Sequence, residues 1–433
     1  MVWPSVWRCF TFWQEVVAMN KIVLKNVRPF INGKFEAPTT MNLADGKWVK
    51  ESLTDAPVFD AGGAMALPAL FGLGLDFKEP LRDDIYDFKD GVEAMRRGGF
   101  YGGLYESSDN AIDDSRKLSA IKQISSFAGF SFAFLGAFSI GYKCKELTEM
   151  IELAEEGAVG FGDGNQDASR TRFLRLAMEY GSMTGKRFFF MPLDESLRHH
   201  GLVHEGHYAD TLGMKGIPRV AETIAAFRIL EMARFLKVPV HFKQVSCGET
   251  LKLVEMAREQ GVDVTCDVDI YHLLLDDSCL FDLDSHCNVV MPFRSAADKD
   301  ALWQGLKSGT VNAISVNHDP VLRQDKEVNF EDAVPGAVSL EIALSALWKP
   351  LTENLGEARA IELLSSAPAK IAGTEQSSLV LDSKANLVLF DDKLETLVTP
   401  SVFAGQVRNS PLLGHTLSGK IRGSYLGGLW AEV

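Results

Sequence analysis

Between residues 67 and 377 the chain alternates short apolar runs with amphipathic helical stretches, and this alternation decides its fold class. FYGGLYES, SFAFLGAFSI, AVGFGD, RFFFMPL, VPVHFKQV, VDVTCDVDI and VNAISV read as strands. Between them, DDSRKLSAIKQISSF, CKELTEMIELAEEG, SRTRFLRLAMEYGSMTG, PRVAETIAAFRILEMARFL, GETLKLVEMAREQG and AADKDALWQGLKSG read as helices. With the segment at 70–77, seven to eight strand–helix units can be drawn. Such units predict parallel strands with covering helices, and eight of them close into a barrel. An open doubly wound sheet is the rival, but no G-x-G-x-x-G follows the first strand. In a barrel of this kind chemistry sits at the carboxyl ends of the strands. The positions to inspect are therefore 75–80, 105–109, 161–163, 191–195, 243–247, 267–272 and 315–319.

Both ends of the chain have a different texture. KIVLKNV, the Asn32-Gly33 turn, KWVKESL and APVFDAGGAMALPAL read as strands and hairpins, as do SSLVLDSKANLVLFD and GHTLSGKIRGSYLGGLWAEV. Each end alone leaves an apolar face bare, so residues 19–66 and 378–433 are expected to form one composite β-sandwich domain. The opening MVWPSVWRCFTFWQEVVA lacks the basic start, clean apolar centre and cleavage site of a signal peptide. Met19 is the expected native start, with 1–18 a leader: a start-site extension or a disordered tail.

Composition narrows the partners. With 44 Lys+Arg against 58 Asp+Glu the net charge is −14, and no basic stripe exists. Nucleic acid is therefore excluded as the main ligand. No run of 18 or more uninterrupted apolar residues, the length that would suggest a membrane span, occurs in the chain. The 6 cysteines include no C-x-x-C pair, which removes zinc-ribbon and thioredoxin readings and suits a reducing, cytoplasmic setting.

LPALFGLGLDFKEP at 67–80 resembles the first barrel strand of dihydroorotases in the amidohydrolase superfamily, L-P-G-L-I-D-x-H-x-H-F-R-E-P. RRGGFYGGLYESSDNAID, EGAVGFGDG, the run 240–275 and MPFRSAADKDALWQGLKSGTVNAISVNHDP are similar to that family's later motifs, in its order. SAPAKIAG, KANLVLFD and NSPLLGHTLSGKIRG resemble the end of the barrel and the return to the β domain. The resemblance covers roughly 400 residues. It implies an α/β chain: a (β/α)8 TIM-type barrel over 67–377 with a small β-sandwich domain built from both chain ends.

The same motifs imply a lost catalyst. Active relatives hold a zinc pair through imidazoles and carboxylates. Where H-x-H is expected on the first strand stand Gly74 and Asp76. MPLDE puts Pro192 or Leu193 at a histidine position. In H-x-x-H-V-S the metal histidine is replaced by Gln244, while His241 survives at the non-ligand place. The aspartate of D-H-A-P, ligand and general base, is Asn317, and a neutral amide cannot take the proton. Asp163 alone matches a metal-binding position, so Asp76 and Asp163 are weak candidates for a hard cation. The carboxylate-gripping arginine is Lys78, which lacks the planar fork, and the asparagine of M-P-N-T is Ser107. Glu79, Arg294 and His318 keep family-like places as relics of a substrate pocket.

Two further features have sharper and blander readings. His199, His200, His204 and His207 form the densest histidine cluster, readable as a replacement zinc site or as a polar loop after a strand. Cys247 beside Ser246 is a nucleophile only if a base and positive charge surround it. The resemblance implies a dihydroorotase-like protein of pyrimidine biosynthesis without its metal and catalytic residues. Its expected role is that of a structural or assembly partner, with aspartate transcarbamoylase or a second copy as candidate partners and no cofactor. The alternative is a cyclic amidohydrolase working through a rebuilt or metal-poor site.

Overall fold

A computed structural model describes residues 19–126, 129–166 and 170–433, so the expectations for the leader 1–18 lie outside the described residues. Eight strands follow one another: Leu70–Leu75, Phe100–Tyr105, Ser131–Ala137, Gly160–Gly162, Arg187–Phe190, Val240–Phe242, Val264–Asp269 and Ala313–Ser315. Every neighbouring pair is parallel. The eighth returns to the first. Val316 N–H donates to Leu73 O (3.1 Å), His318 N–H to Gly74 O (2.7 Å) and Asp76 N–H to His318 O (3.1 Å). The barrel that the alternation predicts is present, and helices such as Arg219–Leu236 and Ala296–Ser308 cover it.

Side chains on successive strand positions divide between two cores, as the two-residue period of a strand requires. Phe71, Leu73, Leu135 and Phe189 belong to one buried cluster, and Leu70, Phe134, Phe188 and Phe190 to another that includes the covering helices. Strands buried on both faces read as continuous apolar runs, which is why RFFFMPL shows no polar alternation.

The two chain ends meet in one sheet. Lys21–Ile31 pairs antiparallel with Thr39–Ala44 and parallel with Met65–Pro68. Met65–Pro68 pairs antiparallel with Leu387–Leu397, which continues through Thr416–Leu426 to Leu429–Glu432. Leu387 and Leu389 pack with Ile22, Leu24 and Trp430 in the core of this sheet domain. Val388 and Phe390, pointing the other way, join the core of the barrel. This strand therefore ties the two bodies together.

Candidate functional site

Gly74, the last residue but one of the first strand, has φ +78°, a left-handed conformation that favours glycine. A Cβ there would lie 3.0 Å from Asn317 Oδ1 and 3.1 Å from Asn317 Cα. Two residues on, the buried Asp76 carboxylate accepts from Ser108 N–H (3.0 Å), Ser108 Oγ–H (2.5 Å) and Lys78 Nζ (2.8 Å). The Lys78 ammonium also lies 2.6 Å from Asp319 Oδ1 and 3.4 Å from Asp109 Oδ2. Burial works against its charge, but Asp319, Asp76 and Asp109 hold Lys78 well above the usual lysine value.

A second buried ion cluster stands across the mouth. Lys243 Nζ lies 2.9 Å from Asp163 Oδ1 and 2.5 Å from Glu106 Oε2. Burial opposes its charge too, yet Asp163 and Glu106 keep the ammonium above its ordinary value. Asp163 also accepts from Met191 N–H (3.0 Å) and Asn165 N–H (3.0 Å), and Glu106 from Gly164 N–H (2.8 Å). Glu106 reaches inward because Gly162 has no side chain: a Cβ there would meet Glu106 Oε1 at 1.7 Å.

Between the two clusters lies a pair of neutral amides. Gln244 Nε2–H donates to Asn317 Oδ1 at 2.7 Å. Below them Asp267 collects Gln244 N–H (2.8 Å), Ser315 Oγ–H (2.7 Å) and His241 Nε2 (2.8 Å), and His241 Nδ1 meets Thr265 Oγ1 at 2.8 Å. Burial lowers the His241 pKa although Asp267 opposes it. A neutral ring then donates to Asp267 and accepts from the Thr265 hydroxyl. Lys78, Gln244 and Asn317 all have positive φ, at 57°, 55° and 38°. Three left-handed non-glycine residues around one mouth are backbone strain held by their surroundings.

His318 lines the same cavity, but its Nδ1 and ring face are engaged elsewhere. Its Nδ1 accepts from Ser339 N–H (3.3 Å) and Leu340 N–H (3.4 Å), which assigns the proton to Nε2. Burial pushes its pKa down to about 3, and its ring packs against Tyr86 and Phe77. The space left among Asp76, Glu106, Lys243, Gln244, Asn317 and their neighbours is about 30 Å³. At about 10–15 Å³ per water this holds two or three waters.

The remaining sequence-derived residues are spread around this mouth. Pro192 is buried beside Met191 and offers no donor. Ser107 is turned from Asp76: its Oγ accepts from Asn110 N–H (3.1 Å), and its carbonyl accepts from Tyr142 Oη–H (2.8 Å). Glu79 accepts from Phe88 N–H (2.8 Å) at the start of helix Phe88–Gly98. Arg294 donates to Ile217 O (2.7 Å), Ser246 Oγ (3.1 Å) and His204 Nδ1 (3.2 Å), with Glu222 at 3.7 Å. The four histidines do not converge. His204 is buried against Arg294 and its pKa falls to about 4 through burial and that guanidinium, while His199, His200 and His207 are exposed. Burial and then Glu222 push the Cys247 thiol far up, so it is no activated nucleophile. Among the described residues no group of three or more His, Cys, Asp or Glu side chains is arranged to hold a metal ion.

Glu106, Ser108, Lys243, Asp267 and Asp319 shape this site, yet motif reading singled out none of them. The available signal was position: all five fall in the strand-end windows of the barrel. A charged or polar residue directly after an apolar strand points into the mouth.

The sequence is 32% identical over 370 residues to the dihydroorotase of Deinococcus radiodurans, covering 84% of this chain and 88% of that one. It is 30% identical over 408 residues to the dihydroorotase of Pelotomaculum thermopropionicum, covering 92% and 95%. The structure matches the L-hydantoinase (dihydropyrimidinase) from Arthrobacter aurescens with a TM-score of 0.82, over 95% of this chain and 96% of that one. Sequence identity there is 20%, so this likeness concerns the fold. No family model matches the sequence.

Proposed function

The chain belongs to the dihydroorotase family of the amidohydrolase superfamily, and from that premise we propose that it is a non-catalytic member acting as a structural or assembly partner in pyrimidine biosynthesis. The observation that carries this reading is the Lys243 ammonium, 2.9 Å from Asp163 and 2.5 Å from Glu106. A zinc ion drawn to Asp163 would have to sit beside a fixed positive charge that already neutralises the carboxylate. The other positions supply no imidazole: Gly74, Asp76, Pro192, Gln244 and Asn317 offer one carboxylate, two amides and two side chains without a donor. This set does not fit a zinc pair.

The base is missing as well. Asn317 presents an amide oxygen engaged by Gln244, and neither amide can accept a proton near neutral pH. Lys78 is tied to three carboxylates, which leaves it no free charge for a carboxylate-bearing ring. The candidate partners remain aspartate transcarbamoylase and a second copy of the chain. The acidic surface argues against nucleic acid. Among the described residues no helix is long and apolar enough to cross a membrane, and the reading assigns the protein to the cytoplasm.

The test is a paired measurement on the purified full chain. Less than about 0.2 zinc per chain is expected without added metal, the near-empty state of an incomplete ligand set. Hydrolysis of dihydroorotate, and the reverse ring closure that forms it from the ring-opened acid, should both stay at background, with or without added zinc. Near-stoichiometric zinc together with turnover would replace this reading by that of a cyclic amidohydrolase with a rebuilt site.

A further inference from the structure

Residues 398–415 join strands Leu387–Leu397 and Thr416–Leu426 of the sheet domain, yet they leave that sheet and cross the barrel. Near one end, Arg97 of helix Phe88–Gly98 donates to Ser401 O (3.4 Å) and Val402 O (3.2 Å). Phe403, Ala404 and Val407 then sink into the core of the barrel. Further on, Asn409 donates to Asp319 O (2.8 Å) and accepts from Val321 N–H (3.1 Å), beside the Lys78–Asp319 pair. Ser410 Oγ meets Tyr271 Oη at 2.9 Å. The segment is therefore a strap that runs from a covering helix to the barrel mouth.

Beneath the strap lies Glu341, only 6% exposed. Its Oε1 accepts from Ala404 N–H of the strap (2.8 Å), and its Oε2 is buried without a hydrogen-bond partner. The two nearby guanidiniums are engaged elsewhere: Arg97 with Glu93 and strap carbonyls, Arg408 with Gly405 O and Val407 O. An ionised carboxylate is costly in such a place, whereas a neutral acid keeps the Ala404 bond at far less cost. We propose that Glu341 is a proton-dependent latch: neutral, it holds the strap 398–415 closed over the barrel, and loss of its proton loosens the strap.

Burial pushes the Glu341 pKa up to about 7, although the Ala404 N–H and the charges of Arg97 and Arg408 oppose the rise. The other ionisable groups around it do not titrate in the same way. Tyr86 and Tyr271 are raised further by burial and stay neutral. His318, whose Nδ1 accepts from Leu340 N–H, is held down to about 3 and stays neutral too. Asp90 is a second acid under the strap: burial and then Asp87 raise it, and a Cβ on Gly405 would lie 2.5 Å from its Oδ2. The sign follows from linkage. A glutamate uncovered by strap opening returns toward the ordinary value of 4.5, so between there and about 7 the closed strap holds a proton that the open strap releases. Closure therefore weakens as pH rises through this window and levels off above it.

The inference is independent of whether the barrel turns over substrate. Amide hydrogen exchange of the full chain tests it, with rates corrected for the intrinsic pH dependence of exchange. Protection of strap peptides should fall about tenfold between pH 6 and pH 8 and then change little to pH 9. Glu341→Gln keeps an acceptor for Ala404 N–H and is neutral throughout, so its strap protection should not vary with pH. Asp90→Asn and His415→Gln, which remove the other acid and an exposed histidine on the segment, should leave the tenfold change intact. Strap protection that is flat from pH 6 to pH 8 overturns the proposal. So does a change that persists in Glu341→Gln or vanishes in either control. Should Glu341→Gln fail to fold, the unmodified chain still decides: a loss of equal size in helix Arg219–Leu236, or one that does not level off above about pH 7, overturns the latch.

Discussion

Lys243→Met should lower the free energy of unfolding by about 3–5 kcal/mol, the cost of stripping one partner from a buried ion pair. The side-chain exposures place this pair in the buried regime: 11% for Lys243, 2% for Asp163 and 8% for Glu106. A surface pair would be worth about 1 kcal/mol at most. Methionine is unbranched and only one heavy atom shorter than lysine, so the loss reports charge more than volume. Lys243→Met/Glu106→Gln should recover part of it, since one of the orphaned carboxylates is then gone.

The pH dependence of the variant gives an independent sign. Burial already raises the Glu106 pKa, and removing the ammonium takes away the opposing attraction of Lys243. In the variant the native state therefore binds protons that the unfolded chain releases. Stability then rises as pH falls through the raised pKa toward the ordinary carboxylate value, so the deficit against the unmodified protein should be smaller at about pH 5 than at about pH 8. Urea unfolding at both values measures it. A deficit under about 1 kcal/mol at both would mean that the cluster is hydrated and open rather than a sealed ion pair.

Gly74→His should destabilise the chain rather than repair it, by about 2–6 kcal/mol. A residue with a side chain at φ +78° costs about 1–3 kcal/mol, and crowding against Asn317 adds a similar amount. Asp76→His, Gln244→His and Asn317→Asp, each made alone, should leave dihydroorotase turnover at background. Groups that act as a unit are non-additive, and each repair leaves the rest missing. The paired measurements are the unfolding free energy of each variant and its turnover with added zinc. A rise of about a hundredfold in turnover on Asn317→Asp alone would mean that one substitution had only tuned a working site.

Local physics made much of the architecture legible. A strand's two-residue period and a helix's 3.6-residue period are properties of neighbouring residues, so the strand–helix alternation and the strand ends could be read directly. The family motifs then located Gly74, Asp76, Asp163, Gln244 and Asn317 at the barrel mouth. Reading them as missing ligands is an expectation about what these side chains do not do. It did not explain what took their place. Arg294 and Glu79 sit in family-like motifs, yet the structure gives one to a network with Glu222 and the other to a helix start.

The sequence by itself determined the order of strands and helices, the class of fold and which residue types stand at the strand ends. Tertiary structure decided which charge meets which. Lys243 lies 137 residues from Glu106 and 80 from Asp163, and no local period links them. They meet because parallel strands deliver their carboxyl ends to one rim, and because Gly162 leaves room for the Glu106 carboxylate. Desolvation at that rim then selects the pairing, since a buried carboxylate without a counter-ion costs several kcal/mol. A sequence records the charges; only closure of the barrel removes the water that would otherwise keep them apart.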